Sequence, residues 1–285
     1  MSKNYKFKQI YIEITKNCNL NCPFCPSVSN REPNLTDISF REIISKIKGF
    51  SDVIYLHILG EPLTNVLISK YISIAKNNGI KVRITTNGML LFDRKDELLK
   101  HDNLDRINVS LQSWHYLKDE EVEKNIKNLV SFIKYKKENK PKLTVSIRFW
   151  NDKTNEFIIK KNNYLIERLS EELKLNLSVS HPEDYLLVSY EDEFTWPNVE
   201  HPINNEFSSC LGGKKQLGIL LNGDVVLCCL DYLGKTKLGN IYESTLDEIL
   251  KDENYQNHLN SLKNKEYYFD LCKKCTFRNR FINKK

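Results

Sequence analysis

Long hydrophobic runs are missing from this sequence. Nowhere in its 285 residues is there a stretch of about 18 apolar residues, the length a membrane-spanning helix needs. A signal peptide is missing too. The opening residues, MSKNYKFKQIYIEI, pass almost at once into a strand-like alternation, with no apolar segment and no small-residue cleavage site. There is no low-complexity tract, and no repeat beyond a recurring strand–helix unit. These absences argue against a membrane protein and for the cytoplasm. Disulfides are unexpected in that reducing compartment, so the eight cysteines read as metal ligands or reactive thiols. Charge of one sign is not concentrated either. The formal net charge is +6, but the basic residues are scattered, many opposite acids on amphipathic helices, except in the tail CKKCTFRNRFINKK. Solvated helix faces account for this pattern, and no nucleic-acid partner is expected. With 40% hydrophobic and 28% charged residues, the chain can bury the core of one large domain, or of a domain with an appendage.

The hydrophobic period switches repeatedly between about 2 and 3.6. Strands are expected over 9–15, 52–59, 81–88, 106–113, 142–149 and 175–180. Helices are expected over 39–50, 64–79, 93–101, 119–139 and 155–173, the first opened by a Ser39/Glu42 capping box and the second stopped by Gly79. Such alternation implies an α/β fold with a parallel sheet and right-handed crossovers; a doubly wound sheet and an incomplete barrel both satisfy it. Either places a site at the carboxyl ends of the strands. The first cysteine loop, Gly60–Pro62, Asn87–Gly88 and Gln112–Ser113 all fall there. Residues 181–209, with three prolines and many acids, break the rhythm and read as a linker packing on the barrel. Beyond them, 216–230 is a hairpin turning at Asn222–Gly223, and 244–264 a helix with a Thr245/Glu248 capping box.

The segment KNCNLNCPFC holds Cys18, Cys22 and Cys25, with no fourth cysteine nearby. A structural zinc site takes four ligands. A cubane iron–sulfur cluster offers four irons, and three thiolates leave one iron open to another ligand. Pro23 and Pro26 stiffen the loop. The alternative is half a zinc site, completed by the C-terminal pair. Arg148, in an apolar strand, is costly to bury without a partner and so points to a pocket. His57 reads first as a satisfied core histidine and second as a substrate ligand.

CNLNCPFC resembles the C-x3-C-x2-C loop of radical S-adenosylmethionine (SAM) enzymes, which follows the first strand of a partial (β/α)6 barrel. The resemblance implies a 4Fe–4S cluster on Cys18, Cys22 and Cys25. It implies SAM beside Phe24, and SAM contacts from Gly60 and Glu61 of LGEP, where Leu59 replaces the first glycine of the family's GGEP. Asn87, Ser110 and Gln112 match positions that approach SAM. Reductive cleavage of SAM to a 5′-deoxyadenosyl radical, followed by hydrogen abstraction from substrate, is the implied chemistry. The later cysteines resemble the shortened SPASM, or twitch, appendage of the family. Their spacing is similar to that of 2-deoxy-scyllo-inosamine dehydrogenases, which implies a second 4Fe–4S cluster on Cys210, Cys228, Cys272 and Cys275; a zinc ribbon is the alternative. The expected domains are a partial barrel over 1–180, a linker over 181–209 and a small α+β twitch domain over 210–285.

Cys229 is left over. Strand neighbours point to opposite faces, so a cluster-facing Cys228 turns Cys229 away, into the core or towards substrate. The expected activity is oxidation of a substrate radical through the auxiliary cluster, a dehydrogenase-type reaction on a small molecule such as a sugar or aminocyclitol. Arg148 would serve its pocket and Asp231 act as base. The alternatives are a redox-neutral epimerase with Cys229 as hydrogen-atom donor, a peptide-modifying maturase, and a non-catalytic metal module that binds RNA through the basic tail. An external donor such as flavodoxin or ferredoxin would supply electrons.

Overall fold

The first strand, β1 (Gln9–Ile12), sorts its residues by parity: Ile10 and Ile12 are fully buried, Gln9 and Tyr11 half-buried. In β2 (Val53–Tyr55), β3 (Lys81–Thr86), β4 (Leu104–Ser110), β5 (Thr144–Asn151) and β6 (Leu186–Asp192) the apolar parity is likewise buried, with Tyr55, Asn108 and Ser146 of the other parity buried as well. The computed structural model describes residues 6–26 and 33–282. Within it these strands pair in parallel and in chain order, β1 to β6. The crossovers carry α1 (Asp37–Ile47), α2 (Ile68–Asn77), α3 (Lys95–Leu99), α4 (Asp119–Asn139) and α5 (Glu156–Leu173). A sequential order is that of a partial barrel; a doubly wound sheet reverses order part-way.

The helices cover the apolar parity. Ile10, Ile54, Val82, Ile107, Val145 and Val188 belong to one continuous core with Phe40, Tyr71, Phe132 and Leu169 of the helices. The opposite face is polar. Its registered rows run Tyr11–Tyr55–Arg83, then Thr85–Asn108–Ser146, then Ser110–Arg148–Ser189. This face is the lumen of the partial barrel.

Several boundaries differ from the sequence expectation. Helix α1 starts two residues early, at Asp37, and is capped by Thr36, whose Oγ1 accepts from Ser39 N at 3.0 Å in place of a Ser39/Glu42 box. Residues 175–180 are not a strand. Helix α5 ends on Lys174 at φ 56°, and the following turn leaves Val179 45% exposed. Instead β6 forms inside the stretch expected to be a linker, because Leu186 and Val188 bury against the core when registered on Val145 and Ile147. Two neighbouring segments alternate alike, and pairing selects the one that buries more.

After β6 the chain returns to the far edge of β1. Strand β7 (Gln216–Ile219) pairs with β1 in parallel, and β8 (Asp224–Val226) and β9 (Gly239–Asn240) follow antiparallel, giving one nine-stranded sheet. The C-terminal region thus grows directly out of the barrel sheet. The expected 244–264 helix is two helices, α6 (Leu246–Lys251) and α7 (Glu253–Lys263). Asp252, extended at ψ 150°, breaks it and caps α7 through Asn254 N at 2.9 Å. The Thr245/Glu248 capping box is present. Helix α8 (Asp270–Lys274) carries Cys272. No helix among the described residues is long and apolar enough to cross a membrane.

The hairpin turn supplies a stability test. A Cβ on Gly223 (φ +86°) would lie 2.4 Å from the Tyr242 ring, whereas one on Gly49 (φ +89°) would meet nothing within 4 Å. Both substitutions carry left-handed backbone strain, but only one adds a clash. Gly49→Ala should cost about 1 kcal/mol, and Gly223→Ala clearly more, read as denaturation midpoints.

Candidate active site and cluster pocket

The first cysteine loop leaves the carboxyl end of β1. Cys25 N donates to Cys22 O at 3.0 Å, closing a turn, and Leu20 N donates to the Cys18 sulfur at 3.4 Å. Cys18 is exposed, while Cys22 and Cys25 are partly buried. Burial and the neighbouring thiols push Cys22 up to about 12, and burial raises Cys18 as well. Thiols bind a metal as thiolates, the metal replacing the proton.

Gly60 and Glu61 fasten this loop to the barrel. Gly60 has φ +73°, and a Cβ there would stand 2.6 Å from Thr15 O and 3.0 Å from Asn17 O, so only glycine lets β2 end against the loop. Glu61 N donates to Asn17 O at 2.8 Å. The Glu61 side chain is buried. Its Oε1 accepts from Leu63 N at 3.0 Å and Thr86 Oγ1 at 2.7 Å, and its Oε2 from Asn87 N at 2.7 Å. Burial raises its pKa to about 7, against the lowering effect of those three bonds. Asn87 in turn donates to Asn19 Oδ1 at 2.7 Å, approaches the Cys18 sulfur at 4.0 Å, and accepts Trp114 Nε1 on its carbonyl at 2.7 Å. Gly60, Glu61 and Asn87 are therefore collected around Cys18 and Asn19. Ser110 ends β4, one residue before the 3-10 turn Leu111–Trp114 that holds Gln112. With its amide oriented by its partners, Gln112 donates to Arg148 O at 3.2 Å and accepts from Trp150 Nε1 at 3.3 Å. It is thereby joined to β5.

Phe24 packs on Trp150 (centroids 4.7 Å) and lies 6.2 Å from Tyr116. From Trp150 the aromatic contacts continue through Phe194 and Trp196 to Tyr232, and from Phe194 to Phe277. The sequence reading missed this wall between the two cysteine sets. Its signal was the FTW triplet inside the supposed linker.

Cys210, Cys228, Cys272 and Cys275 line one cavity, together with Gly212, His258 and Arg278. Cys229 does not line it. Burial and thiol–thiol proximity push Cys228 and Cys272 well above the ordinary range. Among the described residues, no group of three or more His, Cys, Asp or Glu is placed to hold a single metal ion. A cubane spreads its thiolates one per iron around a larger body, and four thiols around a cavity have that form. The donor set thus fits the cluster. Arg278, also missed in the sequence, is buried. It donates to Cys272 O, Glu206 O, Asn204 O and Lys273 O and lies 4.1 Å over the Tyr267 ring, tying the approach to Cys210 onto α8.

Asp231 is a correction. Its Oδ1 accepts from Lys235 N at 2.8 Å, and its Oδ2 from Thr236 N at 2.5 Å and Thr236 Oγ1 at 2.6 Å, with the side chain 1% exposed. It closes the turn after Cys229 and is not presented to a pocket as a base.

Cys229 turns to the other side. It packs with Tyr11, Cys25, Ile58, Leu59, Trp196 and Tyr232 in a small apolar cluster. The Tyr11 hydroxyl accepts from Gln9 Nε2 at 2.8 Å and is hydrogen-bonded to the Cys229 thiol, whose pKa burial raises to about 11. Tyr11 stacks on Tyr55 at 4.9 Å, and His57 stands edge-on to both rings. Burial, with the charge of Arg148, drives His57 down to about 3, so its ring is neutral at pH 7. His57 Nδ1 has no hydrogen-bond partner, and Arg148 has no ion-pair partner, among the described residues.

The radical SAM superfamily model matches residues 12–160, and the model of the SPASM iron–sulfur cluster-binding domain matches residues 210–276. The chain belongs to the radical SAM superfamily. Its SAM-enzyme and SPASM domains imply SAM and two iron–sulfur clusters as cofactors. Among solved structures, BtrN in complex with AdoMet and 2-DOIA is 17% identical with a TM-score of 0.55, over 96% of this chain and 94% of BtrN. The anSMEcpe structure with bound AdoMet and the Cp18Cys peptide is 13% identical with a TM-score of 0.62, over 96% and 87%. Streptococcus suis SuiB bound to S-adenosylmethionine is 16% identical with a TM-score of 0.61, over 90% and 68%. These likenesses show the fold, with the C-terminal domain in place. A probable GTP 3′,8-cyclase of Methanococcus maripaludis is 33% identical over 112 residues, 38% of this chain and 37% of that protein. A GTP 3′,8-cyclase of Clostridium botulinum is 35% identical over 115 residues, 38% and 36%. The chain spans about two fifths or less of these relatives' length.

Two variants test the radical SAM loop. Anaerobically reconstituted wild type should hold about eight irons, and a Cys18/Cys22/Cys25 triple Ala variant about four; equal iron in both would contradict two separate clusters. Gly60→Ala, which drives a Cβ into Thr15 O and Asn17 O, should likewise lose iron from the first site alone.

Proposed function

We propose that this radical SAM enzyme is an oxidoreductase of the dehydrogenase type, acting on a small molecule held in the barrel lumen. The reading rests on one observation: four thiols surround one cavity while Cys229 stands outside it. A cluster with a thiolate on every iron has no open site for substrate, which suits an electron acceptor. In this reading Cys18, Cys22 and Cys25 hold the SAM cluster, and Cys210, Cys228, Cys272 and Cys275 the auxiliary one. When bound, these groups supply a 5′-deoxyadenosyl radical that takes a substrate hydrogen atom and an acceptor for the electron left behind. The chain's own task is to hold the substrate and shield the radical, and loss of one hydrogen atom, one electron and then one proton to solvent gives a two-electron-oxidised product. Asp231 is committed to its turn, and His57, held down to about 3 by burial and the Arg148 charge, is too weak a base for that proton and lines the lumen as a neutral ring with an unpartnered Nδ1. Trp150, Phe194 and Trp196 screen the space between the cysteine sets. A flavodoxin or ferredoxin is the proposed electron source.

The Cys229–Tyr11 contact favours a second reading, a redox-neutral epimerase in which the Cys229 thiol returns a hydrogen atom to the substrate carbon. Peptide substrates belong to neighbours of this fold, as the anSMEcpe complex and SuiB bound to precursor peptide SuiA record.

Reduced, reconstituted protein should form 5′-deoxyadenosine from SAM; none at all would remove the enzymatic reading. Turnover in deuterated water separates the two reactions. Oxidation should leave the product carbon unlabelled and survive in Cys229→Ala, whereas a Cys229 donor would label that carbon and fail in the same variant.

A further inference from the structure

The inward face of the sheet, from the end of β2 to β6, carries a pattern that the radical chemistry does not require. Four side chains there have a buried polar atom with no hydrogen-bond partner among the described residues: His57 Nδ1, Arg106 Nε, Asn108 Oδ1 and Ser189 Oγ. They come from the end of β2, from β4 and from β6, and strand parity sends them to the lumen side of the sheet. Asn108 is fully buried. Its amide nitrogen is used, donating to Ile84 O and Thr85 Oγ1 at 3.2 Å each, so the unpaired acceptor is specifically the oxygen. Orphaned buried polar atoms are rare and costly, and a cluster of them on one surface is the imprint of a polar occupant.

Arg148 defines the charge of that occupant. It lies in the middle of the row Ser110–Arg148–Ser189. Of the other lumen-side guanidiniums, Arg83 forks onto Asp105 with bonds of 2.9 and 3.0 Å, and Arg106 is registered beside it, two residues nearer the start of β4 than Asn108. Arg94, Arg168 and Arg280 likewise have carboxylates. Arg148 has none among the described residues, and its charge acts on His57, Tyr11 and Cys229, while its register partner Ser110 places it level with the Asn87 end of β3. Water can satisfy an orphaned hydroxyl, but it does not neutralise a guanidinium in a half-buried row. A planar fork of donors matches an oxyanion.

We propose that the lumen binds a substrate carrying an acid group, carboxylate or phosphate, that pairs with Arg148, while Ser189 and Asn108 take hydrogen bonds from the polar groups beside it. This rests on the proposed lumen site and narrows its substrate class. The acid group anchors one end of the molecule, and the reacting carbon faces the small cluster that contains Cys25 and Cys229.

The test is anion binding to reconstituted protein saturated with SAM, by calorimetry at constant ionic strength, with inorganic phosphate in one arm and acetate in the other. Saturable binding of either anion is expected. It should weaken roughly tenfold or more in Arg148→Gln, the range for a lost charge-assisted hydrogen bond. Arg148→Lys should fall between, and Ser189→Ala, a small change on the lumen face, should weaken binding about threefold. The tighter arm identifies the acid. Failure of both anions to saturate, or equal affinity in wild type and Arg148→Gln, would overturn the proposal. Competition between the anion and added SAM would overturn it too, by giving Arg148 to the cofactor. Wild type that cleaves SAM yet binds neither anion would sink only this inference and leave the enzyme reading standing.

Discussion

Glu61 holds a carboxylate, 2% exposed, at the point where three chain segments meet. Its backbone N–H takes the Asn17 carbonyl of the cysteine loop, and its two oxygens take Leu63, Thr86 and Asn87. A buried acid is tolerable only when its acceptors are filled, and here the filling groups position the site. Without Glu61, the ends of β2 and β3 have no common anchor. The loop carrying Cys18, Cys22 and Cys25 would then lose its seat, and Asn87 its aim at Cys18 and Asn19. Gly60 is the steric half of the same constraint, because any side chain there meets two carbonyls of the loop.

From that junction outward, the molecule uses one sheet for two purposes. The parity facing the helices is almost wholly apolar and supplies the core; the parity facing the lumen carries polar and ionic side chains. Strand β7 pairs directly with β1, so the C-terminal hairpin continues the barrel sheet. That continuity is why Cys229 and Cys25, more than 200 positions apart, share one small cluster with Tyr11 of β1 and Ile58 beyond β2. The aromatic wall from Phe24 to Tyr232 closes the same space from the β5 side. A reactive intermediate generated between the two cysteine sets would be enclosed by rings and aliphatic side chains, the setting that shielding from water requires.

Much of this was legible in the residues. The loop CNLNCPFC, the alternation of periods 2 and 3.6, and the Asn222–Gly223 turn led to the barrel, the first cysteine set and the hairpin. Helix α4 fell on its expected bounds, because twenty-one residues of amphipathic pattern leave little freedom. The misplacements have local causes. Residues 175–180 and 186–192 alternate alike, and only pairing with β5 chose between them. The 244–264 pattern holds its apolar phase across Asp252, whose extended backbone nevertheless breaks the helix. Asp231 looked like a free acid near Cys229; its two oxygens are spent on a turn that no spacing rule displays.

What the sequence determined by itself is the chemistry of its donors: three thiols in a stiff loop, more at the far end of the chain, and a strand–helix rhythm that fixes on which rim they gather. Those properties follow from residue type and short-range spacing. Only the tertiary structure decided the environments. It sent Cys229 to the lumen side, left Arg148 without a carboxylate among the described residues and His57 neutral beside two tyrosines, and enclosed Arg278 with the carbonyls next to Cys272. Burial and partner choice depend on contacts between residues far apart in the chain, and those distances exist only once the sheet has closed.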